Sequence, residues 1–128
     1  MTSETLVLNL PYPPSVNTYW GFHGARRFLT KKAVEFKQFA ASAFCLTRHK
    51  GFGMQRLSVT IYLFPPDKRV RDIDNCVKSL LDSLCQANVF VDDSQIDRLL
   101  VVRKEQKKGG ECLVSIAPIA CHTFEMTA

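Results

Sequence analysis

Outside residues 67–97 this chain of 128 residues contains no aspartate, and inside that window it contains no glutamate. Other absences narrow the field further. No apolar run approaches the roughly 20 residues of a membrane span, and the first ten residues, MTSETLVLNL, carry no positively charged leader region, so a cytosolic protein is expected. The five cysteines (Cys45, Cys76, Cys85, Cys112, Cys121) are odd in number and form no CxxC pair, and His23, His49 and His122 are scattered. A disulfide framework and a zinc site are both disfavoured, and the cysteines read as small apolar residues in a reducing compartment. No GxGxxG and no βαβαβ repetition is present, which argues against a nucleotide-binding doubly wound sheet. An EF-hand begun at Asp72 would have Val77 where glycine is needed and Ser83 where the bidentate glutamate belongs.

What remains is a strongly divided charge. The window DKRVRDIDNCVKSLLDSLCQANVFVDDSQID holds all seven aspartates against Lys68, Arg69, Arg71 and Lys78, a net of −3. The rest of the chain carries 13 basic residues against five glutamates, a net of +8, and the whole has charge +5 and pI near 9.1. That balance favours an anionic partner, and no basic amphipathic helix is present to lie on a bilayer. A basic surface attracts a polyanion, while concentrated carboxylates hold a metal ion where the polyanion is attacked.

Taken in order, residues 4–10 alternate Leu6, Leu8 and Leu10 with more polar neighbours and predict a strand that Pro11, Pro13 and Pro14 stop. Residues 11–29 show no sustained period and read as a long loop, with Tyr12, Tyr19, Trp20, Phe22 and His23 beside Arg26 and Arg27. Two uses fit that mixture: stacking on bases and gripping phosphates, or covering one end of the core. Thr30 is placed to cap a helix over about 31–48, with Phe36, Phe39, Ala40, Ala43, Phe44 and Thr47 on one buried face. Lys31 and Lys32 in its first turn serve either as a solvated face or as phosphate contacts. A strand follows with Leu57, Val59, Ile61 and Leu63 on one side. After the acidic window come RLLVVRKEQ, the turn Lys107–Gly110, and ECLVSIA as a hairpin partner. The tail from about Pro118 has no organising pattern. A single two-layer α+β domain, a small mixed sheet covered by two helices, is the expected fold.

Within the window, Ile73, Val77, Leu80, Leu81 and Leu84 share one helical face, and Asp74 is placed to act as N-cap. On a wheel of ~100° per residue Asp74 and Lys78 flank that stripe one turn apart, with Asp82 further out as a partner for Lys78. If the backbone is extended at Ile73, Asp72 and Asp74 project to one side and can share a cation. Asp92 and Asp93 come after the helix. A helix of roughly fifteen residues is ~22 Å long, while Val89–Val91 span only about 10 Å. The second acidic pair therefore meets the first only if the chain runs back along the helix or a second subunit intervenes. Such carboxylates suit Mg²⁺, a hard ion that keeps several waters, with Mn²⁺ as a substitute; helix capping and a polar turn are the plainer uses of the same residues.

These residues resemble a known family. RDIDNCVKSLLDSL followed by VFVDDSQI, the opening PYPPSVNTYW and the KKGGE turn, in that order from about Leu6 to Ile116, are similar to the RusA-type Holliday junction resolvases. The resemblance implies a homodimeric, Mg²⁺-dependent endonuclease that resolves four-way DNA junctions by paired nicks. It implies Asp72, Asp74 and Asp93 as metal-binding catalytic carboxylates, Lys78 as the active-site lysine, and a fold that brings both acidic elements together. Asp92 ranks lower. The family's arginine run before the first aspartate is thinner here, Lys68-Arg69-Val70-Arg71, and with Arg26, Arg27, Lys31 and Lys32 it forms the expected DNA-binding set. The competing readings are a nuclease for other branched DNA, a junction-binding module without cleavage, and a basic structural protein whose aspartates only cap.

Overall fold

The computed structural model describes residues 5–119. Alternating apolar residues form strand β1 (Leu6–Leu10), whose buried positions are its three leucines. A single helical turn α1 (Val16–Tyr19) leads into a two-stranded ribbon, β2 (Trp20–His23) and β3 (Arg26–Leu29). Helix α2 (Lys31–Thr47) follows, then β4 (Leu57–Phe64), α3 (Asp74–Gln86), a 3₁₀ turn (Asp93–Gln95), β5 (Ile96–Arg103) and β6 (Glu111–Pro118). The main sheet runs β1-β6-β4-β5. Both β1–β6 and β6–β4 are antiparallel, whereas β4–β5 is parallel. Helices α2 and α3 pack on each other and share one apolar core with the sheet. The architecture is α+β.

The centre of that core is β4, with Leu57, Val59, Ile61 and Leu63 all fully buried. Strand β6 lies against it, and Cys112, Val114 and Ile116 are fully buried too. The burial of Cys112 pushes its thiol pKa well up, as expected for a thiol that serves as packing.

Three expectations are corrected. The 11–29 stretch is not a loop throughout, since it contains the ribbon; only four residues lie on each strand, too few to register as an alternating pattern. The β5–β6 hairpin does not form, because β4 lies between those strands. Its greater burial gives β4 the central place, and the connecting segment crosses its end, with Lys104 N–H on Leu63 O and Lys107 N–H on Pro65 O, both 2.8 Å. The Lys107–Gly110 turn forms after that crossing, with Gly109 and Gly110 at φ 82° and 75°. On α2, Phe39 is 49% exposed and Thr47 is exposed, so the buried stripe is Ala33, Phe36, Ala40 and Phe44. Pro118 ends β6, and the loose tail expected beyond it lies outside the described residues from 120 on.

Thr30 does cap α2. Its hydroxyl oxygen accepts from Ala33 N–H at 3.3 Å, its O–H donates to Thr18 O, and its own N–H donates to Tyr19 O at 3.1 Å. One residue thus starts the helix and closes the base of the ribbon. Thr30→Ala is expected to cost about 1 kcal/mol in urea denaturation, with Thr30→Ser close to the parent.

Candidate active site

The seven aspartates divide by what holds them. Asp67 is taken by the basic loop: Arg71 Nη1 lies 2.7 Å from Oδ1, which also accepts Arg69 N–H at 3.0 Å. Those contacts, Arg71 first, hold its carboxyl well below the usual carboxylate range. Asp97 is gripped by Arg56, whose Nε lies 3.1 and 3.0 Å from its two oxygens. Asp92 caps the 3₁₀ turn by accepting Ser94 N–H at 2.9 Å. Asp82 and Asp93 share the Lys78 ammonium, at 3.3 and 3.1 Å. These two carboxylates, Asp93 first, raise the Lys78 pKa and keep it a cation. Among the described residues, only Asp72 and Asp74 have carboxylates with no ion-pair or hydrogen-bond partner.

Their position follows from how α3 starts. Ile73 already has helical dihedrals, φ −67° and ψ −26°, and Asn75 N–H bonds to Asp72 O at 3.2 Å. Asp74 is therefore the first helical residue and not the N-cap, and the backbone is not extended between the two acids. The carboxylates are exposed at the helix start, where the macrodipole favours negative charge. Buried Cys76, Leu80 and Leu84 fix the opposite face of α3 in the core.

Asp72 and Asn75 also border a cleft of about 780 Å³. Lys32, Arg69 and Arg71 stand around it, and Tyr12 and Phe39 supply aromatic wall. Arg71 lies 5.7 Å from the Tyr12 ring centroid, and Arg103 donates to its backbone carbonyl. Burial, reinforced by Cys76, pushes the Tyr12 phenol up to about 12, so it is a neutral wall at physiological pH. Lys31 and Lys68 are exposed outside this lining, while Arg26 and Arg27 stand on the ribbon.

The second acidic element returns part of the way. Asn88, at φ 69°, turns the chain after α3, and Val89 and Phe90 bury in the core. Asp93 then meets Lys78, one turn after Asp74. The expected assembly is incomplete: among the described residues no group of three or more His, Cys, Asp or Glu is placed to hold a metal ion. The oxygen donors match a hard divalent cation in type, with Asp72 and Asp74 two positions apart at the start of α3 and Asp93 paired with Lys78.

What holds Asp93 there was not anticipated. The side chain of Gln95 is fully buried and makes four hydrogen bonds. Its Oε1 accepts from Val91 and Asp92 N–H, both at 2.9 Å, and its Nε2 donates to Gly53 and Gln55 carbonyls, both at 2.7 Å. With Asp92 this forms a capping box, and the D-x-x-Q spacing of residues 92–95 was the available signal.

Comparison with known proteins adds an independent line. A family model described as Endodeoxyribonuclease RusA matches residues 11–117. A crossover junction endodeoxyribonuclease RusA of Enterobacteria phage HK97 is 34% identical over 110 residues, 86% of this chain and 92% of its own length. Those of Escherichia coli K12 and Enterobacteria phage 82 are each 29% identical over 114 residues, 88% of this chain and 94% of theirs.

Replacing the buried Gln95 amide removes its bonds to two backbone donors and two backbone acceptors. Gln95→Leu is expected to cost about 2–4 kcal/mol in urea denaturation. Gln95→Glu keeps the acceptor but loses both donors, and protonation of its carboxyl restores one of the two. Burial raises that folded-state pKa, so the variant is expected to recover part of the lost stability below about pH 4 and to lose it again as pH rises. Equal destabilisation at pH 4 and pH 8 contradicts this account.

Proposed function

Because this chain belongs to the endodeoxyribonuclease RusA family, we propose that it is a structure-specific endodeoxyribonuclease that resolves four-way DNA junctions. The finer reading is hydrolysis by paired symmetric nicks, dependent on Mg²⁺ (with Mn²⁺ as a substitute) and carried out by a homodimer wherever cellular or phage DNA lies in the cytoplasm. The observation that supports it best is the division of the aspartates. Five are occupied by arginine, lysine or backbone, and the two left open mark the start of α3, where Asp72 borders a cleft that Lys32, Arg69 and Arg71 also line.

In this reading Asp72, Asp74 and Asp93 hold the metal. When bound, such an ion neutralises phosphate charge and lowers the pKa of its water. The other roles belong to the chain. Arg69, Arg71 and Lys32 hold the strand's phosphates at the cleft, and Asp67 with Tyr12 orients the Arg71 guanidinium toward it. Lys78, kept cationic by Asp93 and Asp82, sets positive charge one turn from Asp74 and fixes where the Asp93 carboxylate stands. Arg26, Arg27, Lys31 and Lys68 extend the basic surface. A two-fold dimer matches the near two-fold symmetry of a four-way junction and offers two equivalent sites for two cuts.

The test is nicking of a synthetic four-way junction beside a linear duplex of the same arms, with Mg²⁺ and with chelator. Paired nicks near the crossover are expected only with the metal, with a loss on the order of 100-fold or more for a folded Asp74→Asn protein. Sedimentation is expected at twice 14.5 kDa. Tight junction binding without nicks leaves a binding module instead, and nicks that survive Asp74→Asn move the chemistry to other residues.

A further inference from the structure

The β2–β3 ribbon exposes two phenylalanines, Phe22 at 68% and Phe28 at 47% accessibility. Pairing fixes their sides. Trp20 lies opposite Leu29 and Phe22 opposite Arg27, on one face; Gly21 lies opposite Phe28 and His23 opposite Arg26, on the other. Each face of the ribbon therefore carries one exposed phenylalanine and one arginine. The Phe28 ring has a neighbour to lie on, and the Phe22 face has an ordered arginine. Phe28 lies across Gly21, where a Cβ would come within 2.6 Å of the ring. On the Phe22 face, the Arg27 guanidinium sits 3.9 Å from the Trp20 centroid. The base of the ribbon is fixed as well, by Thr30 on Thr18 and Tyr19 and by the fully buried Tyr19, whose hydroxyl lies 3.3 Å from Ser83 Oγ.

Charge says what fits such a surface. Between Glu4 and Glu35 there is no acidic residue, while Arg26, Arg27, Lys31 and Lys32 all lie there. A flat apolar ligand edged by negative charge satisfies both the rings and the arginines, and that is the description of a nucleobase with its phosphates. Along intact duplex the base faces are covered by their neighbours. They are uncovered where arms meet at a branch.

We propose that the ribbon is a base-stacking finger that recognises the branch point itself. Phe22 and Phe28 stack on base faces left open at the crossover, and Arg26 and Arg27 hold the flanking phosphates. This rests on the branched-DNA reading above and deepens it: the cleft beside Asp72 serves the cut, and the ribbon serves the choice of branched over linear DNA.

The experiment measures binding of the full chain to a four-way junction and to a duplex, in chelator so that nothing is cut. Wild type, Phe22→Ala, Phe28→Ala and Phe22→Trp are compared, with thermal unfolding as the folding control. The expected result is a loss of about tenfold in junction affinity for each alanine variant, duplex affinity within about twofold, and recovery in Phe22→Trp. Photocrosslinking from 5-iodouracil is expected to reach the ribbon when the label sits beside the branch and not when it sits mid-arm. Alanine variants that keep the wild-type junction-to-duplex ratio, or crosslinks that map away from residues 20–29, overturn the finger while leaving the nuclease reading intact. A Phe22→Ala protein that sediments as a smaller species than wild type also overturns it, marking the ribbon as a contact between copies. Wild type with no preference for the junction removes the branched-DNA reading and the finger with it.

Discussion

One buried amide decides where the second acidic element stands. Gln95 joins the turn at 91–95 to the chain just before β4, through two acceptor contacts on one side and two donor contacts on the other. An unsatisfied buried polar group costs about 1–3 kcal/mol, so each of the four bonds penalises any displacement of the turn. Asp93 is thereby presented to Lys78 from a fixed base. Asp72 and Asp74 have no comparable restraint on their side chains. The site thus combines one carboxylate whose place is set by the core with two whose place is set only by the start of α3.

Topology explains why these elements lie apart. Parallel strands cannot be joined by a tight turn and need a crossover, usually through a helix. Strands β4 and β5 are parallel, and the connection between them is nearly the whole aspartate-rich window. Its first acids lie where the chain leaves β4, and its last pair where it enters β5. In a parallel pair those points are at opposite ends of the sheet. The chain recovers part of that distance after Asn88 and reaches Lys78, one turn after Asp74.

Much of this was legible in the sequence because period and capping are local. The leucines of β1, the alternating core of β4, Thr30 as a cap and the buried stripe of α3 all came from spacing within one element. What spacing does not carry is which elements meet. The partner of β6 depended on β4 taking the centre of the sheet, and nothing within ECLVSIA encodes a neighbour 50 residues away. Phe39 fits the apolar period of α2 yet faces the cleft, because period marks a face without saying how far the core extends. Lys78 was placed correctly beside Asp82, an i,i+4 relation, whereas its bond to Asp93 spans fifteen residues and a turn fixed by Gln95. The open state of Asp72 and Asp74 emerged only once the partners of the other five aspartates were known.

The same distinction between held and open groups orders the cations. Arg71 is 21% exposed at its side chain, bonded to Asp67, set over Tyr12 and braced by Arg103 on its carbonyl. Its guanidinium loses little freedom on meeting a phosphate, so it can impose a register on a bound strand. Lys68, Lys31 and Arg26 are exposed and carry no such bracing among the described residues. Their contribution acts over distance and fades beyond about 8 Å at physiological ionic strength. A strand gathered by the second group is thus positioned by the first. Asp67 lends its charge to that order: by pairing with Arg69 and Arg71 it weakens the field they project, and in return fixes the direction in which Arg71 points. Net charge alone, which counts Asp67 against the polyanion, misses that exchange of range for orientation.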